Sequence, residues 1–260
     1  MVEPGGQTAV TLYWQALAPA DRDYTVFVHL LGEGELVVAQ RDTYPGLGLL
    51  STTRLATHLE PGDAWADRYV LRVPNTAYAP DEAQIEVGVY DAASGMRLLA
   101  SSGGDNVRFG QVQIRAKPGD IPNPVSINFG DRMALVGYAL DRRIIHTGDE
   151  AMLTLDWRPL RSMEHDYTVS AQFVDAAQVK AAQHDGWPAG GALPTSTWER
   201  GQMVVDAHSL VVGDVPPGVY DVQVVVYVQE DGEFVHLPVI SDAGEMLANH
   251  QILTRIRVLP

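Results

Sequence analysis

Asp23-Tyr24-Thr25-Val26 and Asp166-Tyr167-Thr168-Val169 are one tetrapeptide met twice, at an offset of 143 residues (23 to 166). The same offset carries Val10-Thr11-Leu12-Tyr13-Trp14 onto Leu153-Thr154-Leu155-Asp156-Trp157, and Leu17 onto Leu160. It also carries Ala39-Gln40 onto Ala182-Gln183, Asp42 onto Asp185 and Pro45 onto Pro188. A shared spacing across so many positions reads as an internal duplication, and two copies imply two similar domains rather than a solenoid. Within the repeat the residues alternate. Tyr24, Val26, Val28 and Leu30 lie on one face, and Thr25, Phe27 and His29 on the other. In the second copy Tyr167, Val169, Ala171 and Phe173 stay apolar, whereas Thr168, Ser170 and Gln172 are polar. The Tyr/Val side is therefore expected to face the core and the Thr side to face out.

Working outward from this strand, each copy shows about seven short alternating segments with turn signals between them and no convincing helix. The pattern predicts an all-β chain of two tandem immunoglobulin-like β-sandwiches, with a jelly roll as the alternative. Trp14 and Trp157 are the expected core anchors. The first sandwich is expected over 1–116 and the second over 125–260. Residues 117–124 between them, with Pro118, Pro122 and Pro124, read as a stiff linker unable to join a sheet. By the common offset, Thr147-Gly148-Asp149 falls on Pro4-Gly5-Gly6, so the first copy has no counterpart of residues 125–143. Either the first domain lacks that strand, or the chain was cut from a longer protein, and the abrupt start at Met1 in a loop position favours the second reading. Later the offset shrinks to 137 (87 to 224).

Composition bounds the function classes. At 260 residues and 46% hydrophobic, the chain can bury two cores. A formal charge of −15 disfavours nucleic acid and anionic membrane surfaces. The absence of cysteine excludes disulfides, cysteine nucleophiles and thiolate metal sites. No apolar run is long enough to span a bilayer, so direct membrane insertion is not expected. Met1–Gly6 lacks the basic and apolar regions of a signal peptide.

The long segment of the second copy is the best candidate site. Asp185, Trp187, Thr195, Ser196 and Trp198 could stack on and hydrogen-bond a sugar, with His184 beside them. Against this, Trp198 could close the end of the sandwich while Asp185 accepts backbone N–H groups of the loop. Leu55 stands where the first copy aligns with Trp198, and a leucine suits a plug better than a sugar platform. Asp67 and Asp206 form a second repeated acid. Paired with Asp42 and Asp185 they could serve as general acid and base or as calcium ligands, although turn-capping aspartates are far commoner. Six of eight histidines lie in the second copy, none at zinc-ligand spacing, and they read as scattered surface residues. No nucleotide-binding, P-loop or serine-hydrolase motif is present. No catalytic residue, metal or cofactor is therefore expected.

The run Asp23–Leu31, Ala39-Gln40-x-Asp42, Pro194-Thr195-Ser196-x-Trp198, Asp206 and Pro216-Pro217-Gly218-Val219-Tyr220 resembles a repeated β-sandwich segment of large bacterial proteins. Among them are multi-spanning membrane glycosyltransferases that use lipid-linked sugars, where the segment is similar to a C-terminal extracytoplasmic appendage. The resemblance covers about 8–115 and 125–260 and carries no catalytic residue. It implies an extracytoplasmic, non-catalytic accessory fragment, with a glycan or another protein domain as partner. The first copy departs from the pattern, with Ser51-Thr52-Thr53-Arg54-Leu55 in place of the Pro-Thr-Ser-x-Trp string.

Overall fold

The chain is almost wholly β-structure in two compact units. A computed structural model describes residues 1–15, 17–54 and 63–260. Leu55, set against Trp198 above, lies outside the described residues. One unit comprises Met1–Asn75 with Ala79–Arg115, and the other Ala116–Pro260 with Thr76–Tyr78. Among the described residues no helix is long and apolar enough to cross a membrane.

The first unit holds β1 (Gln7–Gln15), β2 (Thr25–Leu31), β3 (Val37–Thr43), β4 (Ala64–Arg72), β5 (Asp81–Tyr90) and β6 (Val107–Ile114). They form a four-stranded sheet in the order β3-β2-β5-β6 and a two-stranded sheet of β1 with β4. Every pairing is antiparallel, with Trp14 opposite Trp65 and Leu12 opposite Asp67. After β5, Arg97 makes an isolated bridge to Tyr90.

In the second unit the strands are β7 (Ile127–Phe129), β8 (Met133–Leu140), β9 (Ile144–His146), β10 (Glu150–Pro159), β11 (Thr168–Val174), β12 (Lys180–Gly186) and β13 (Val204–Val211). There follow β14 (Gly218–Glu230), β15 (Glu233–His236), β16 (Val239–Ile240), β17 (Met246–Ala248) and β18 (Gln251–Leu259). One sheet runs β13-β10-β8-β7-β16-β17. The other runs β12-β11-β14-β18-β9, with β15 on β14. Their inner faces enclose a core that includes Leu135, Leu155, Trp157, Phe173, Val224 and Ile256. Trp157 is fully buried and meets Phe129 edge-on at 5.5 Å, so it anchors this core as expected. Trp14 does not match it, being only half-buried.

The expected faces of the repeated strand need a correction. Every residue of Thr25–Leu31 is buried, on both sides. The outer side is covered because the segment after β5 folds back over it. The Arg97 guanidinium lies 4.4 Å from the Phe27 ring centre and is tied by Asp105 at 3.2 Å. Ser170 and Gln172, the outer residues of β11, are buried as well.

Residues 122–125 lie beside β8. Tyr138 N–H donates to Pro122 O at 3.1 Å, Val125 N–H to Val136 O at 2.9 Å, and the Asn123 side-chain amide to Tyr138 O at 3.0 Å. Proline lacks a donor but keeps its acceptor, so a proline-rich segment can still receive bonds from a sheet edge. The approach is close at Gly137, where a Cβ would stand 2.1 Å from the Ile121 side chain and 2.8 Å from Pro122 O.

Candidate functional site

The loop after β12 is built from the inside. Thr195 is completely buried, and its hydroxyl accepts from Tyr167 N–H at 2.8 Å while donating to His165 O at 2.9 Å. Asp166 accepts from Ser196 N–H at 2.9 Å, and Asp206 from Ala189 N–H at 2.9 Å. Trp198 is 3% exposed and its indole N–H donates to Leu193 O at 2.9 Å. Buried polar groups are stable only when partnered, and each of these groups is.

The five residues proposed as a sugar site are therefore not presented together. Thr195 and Trp198 belong to the core, and the Ser196 backbone is engaged by Asp166. Trp187 is 47% exposed, and Asp185 is exposed on β12. Nor does Asp185 hold the loop by accepting backbone N–H groups. Its carboxylate receives Gln183 Nε2 at 2.6 Å and the Tyr227 hydroxyl at 3.4 Å. Asp166 and Asp206 do the work that the sequence assigned to it.

The same bonds recur in the first unit at corresponding positions. Thr52 Oγ1 accepts from Tyr24 N–H at 2.8 Å and donates to Arg22 O at 3.0 Å. Asp23 accepts from Thr53 N–H at 3.0 Å, Asp67 from Gly46 N–H at 3.1 Å, and Asp42 from the Tyr90 hydroxyl at 3.3 Å. Thus Ser51–Arg54 keeps the clamp of the second-unit loop while differing in sequence. The Asp23 carboxyl sits below the ordinary carboxylate range, first because the Thr53 hydroxyl donates to it at 2.7 Å and then because of the Thr53 N–H.

Two of the histidines read as scattered come together instead. His208, 1% exposed, places Nε2 2.8 Å from Asp206 and Nδ1 2.9 Å from His184 Nδ1. Asp206 has one oxygen on His208 and the other on the Ala189 N–H. The chain Asp206–His208–His184 spans the edge strands β13 and β12 of the two sheets. In the first unit Tyr69 replaces His208 and donates to Asp67 at 2.7 Å. Asp206 and His208, two apart on β13, share a face by strand alternation, but spacing gave no hint of His184, which lies on the other sheet.

These placements limit the chemistry. Adjacent residues of a strand point to opposite faces. His184 faces His208, so its neighbour Asp185 points away, and Asp185 with Asp206 does not form the carboxylate pair of a glycoside hydrolase. Among the described residues no group of three or more His, Asp or Glu is placed to hold a metal ion. On the first unit's outer face His29 lies 3.2 Å from Asp42 and 3.4 Å from Glu86, and Arg108 forms ion pairs with both Glu86 and Glu35. Three carboxylates of this network thus share one guanidinium and one imidazole.

The least satisfied surface is apolar. Between the two sheets of the first unit lies a cleft of about 570 Å³ whose lining includes Leu12, Trp14, Val87, Val89, Leu98 and Phe109. Leu98 is 42% and Phe109 40% exposed at its mouth. The corresponding second-unit residues Leu155, Trp157, Val224 and Val226 are fully buried.

No family model matches the sequence, and no curated protein is similar to it. Among solved structures, β-glucuronidase from Ruminococcus gnavus in complex with C6-substituted uronic isofagomine aligns over 89% of this chain and 34% of its own, at 13% identity and a TM-score of 0.21. The same enzyme in complex with D-glucaro 1,5-lactone aligns over 95% and 38%, at 14% identity and a TM-score of 0.20. The chain spans about a third of the length of those proteins, and a likeness this loose carries no argument about activity.

Proposed function

We propose that the chain is a non-catalytic accessory and interaction module of a larger bacterial protein, working outside the cytoplasm. The observation that carries the interaction reading is the open apolar cleft of the first unit. Soluble proteins rarely leave a contiguous apolar surface uncovered without a partner for it. Its support on the other side is that Thr195, Asp67 and Asp206, polar groups singled out in the sequence, are spent on anchoring loops. The extracytoplasmic placement, and the association with a membrane glycosyltransferase, rest on the resemblance of the repeated segment. The test is binding of the apolar dye anilinonaphthalene sulfonate to the folded chain. Saturable enhancement that falls on Leu98→Glu supports an accessible apolar surface. No enhancement above that of a fully closed sandwich overturns it.

A second reading, glycan binding, is favoured by one observation: Trp187 and Asp185 are both exposed at the end of β12. Tryptophan fluorescence titrated with soluble oligosaccharides tests it. A saturable shift abolished by Trp187→Ala supports glycan binding, and a flat response across the panel removes it.

A further inference from the structure

The cleft has a defined cause, which the second unit supplies. There β10 is paired on both sides, by β13 and by β8. Its counterpart β1 is paired by β4, and among the described residues no strand pairs with its other edge. In the second unit the strand on that edge, β8, places Met133, Leu135, Tyr138 and Leu140 in the core, all buried. In the first unit the matching space is the cleft beside Leu12 and Trp14.

We propose that the first unit is an acceptor for one further β-strand, which is not among these 260 residues and adds antiparallel along Val10–Trp14 of β1, on the edge opposite β4. This rests on the interaction reading above and names the partner: an extended segment with the apolar alternation of Met133–Leu140. Backbone groups of β1 supply the hydrogen bonds of strand addition, and the cleft supplies the side-chain selectivity. The second unit also sets the register. Leu140 stands opposite Leu153, Ala139 opposite Thr154, Tyr138 opposite Leu155 and Leu135 opposite Trp157. Moved back by the repeat offset, the incoming strand meets Val10, Thr11, Leu12 and Trp14. A large residue two places from its end then sits over Leu12. One seat is available, because β4 already occupies the other edge.

The experiment uses the full chain and a synthetic peptide of residues 131–143 (Asp-Arg-Met-Ala-Leu-Val-Gly-Tyr-Ala-Leu-Asp-Arg-Arg), read by calorimetric titration and by tryptophan fluorescence. The expected result is saturable one-to-one binding, absent for a scrambled peptide and weakened about tenfold or more by Leu98→Glu, which puts a charge in the cleft mouth. Thr11→Pro, at the exposed edge, is the second variant should Leu98→Glu alter the melting temperature. A photoreactive group at peptide position Tyr138 is expected to label residues near Leu12. No saturable binding, or binding indifferent to both substitutions, overturns the proposal. Self-association in ultracentrifugation that Leu98→Glu abolishes, without peptide binding, overturns it in favour of a second copy as occupant. Dye binding without peptide binding rejects the strand while leaving the interaction reading in place. Loss of both rejects the two together.

Discussion

Thr195 shows how much one hydroxyl can decide. Fully buried, it satisfies the Tyr167 N–H just before β11 and the His165 carbonyl two residues earlier. Thr195→Val keeps the shape and removes both bonds, so it is expected to cost about 1–3 kcal/mol in denaturant unfolding, whereas Thr195→Ser costs much less. The two loop tryptophans separate sharply. Trp198→Ala opens a cavity at the end of the second core and is expected to lose about 3–5 kcal/mol. Trp187→Ala, at a half-exposed ring, is expected to change stability by about 0.5 kcal/mol or less. Equal effects on melting from the two substitutions contradict the plug role of Trp198. Asp23 and Asp166, and Thr52 and Thr195, stand as identical residues at the 143-residue offset. What each identity was for could not be read from the spacing.

At the scale of elements, the loop after β3 is held to β2 through a carboxylate with a lowered proton affinity. A depressed folded-state value means that ionised Asp23 stabilises the fold above the ordinary carboxylate range, about pH 4, and that this contribution is lost as pH falls through the lowered value. Carboxyl-carbon NMR is expected to find Asp23 titrating below about pH 3.9, with Thr53→Val moving it back toward that value. An unshifted Asp23 in the wild type means that the Thr53 clamp does not persist in solution. The strands were legible because alternation fixes their faces when one side is wet. The reading failed for β2, where Arg97 and the ion pairs around His29 cover the side expected to face water. It also missed β7, β9, β16 and β17, whose two or three residues are too short for any period to show.

For the whole molecule, the two units differ in completeness. The second closes its core between two large sheets, while the first leaves Leu12 and Trp14 half-exposed beside an open edge. Buried apolar area is the main favourable term in folding. Differential scanning calorimetry is therefore expected to resolve two transitions, with the first unit melting lower. Trp198→Ala is expected to lower only the upper transition. A single transition moved bodily by that substitution refutes independent unfolding.

The sequence by itself determined the β-class and the alternating strands. These are local properties, written in alternation, turn residues and spacing. The tertiary structure alone decided which polar residues act together. Asp206, His208 and His184 meet because two edge strands from different sheets lie side by side, and Asp185 turns away from them because strand neighbours point oppositely. It also decided that an apolar cleft lies open beside Leu12 and Trp14. Whether a missing element is healed by its neighbours or left open depends on packing in three dimensions, which no period along the chain encodes.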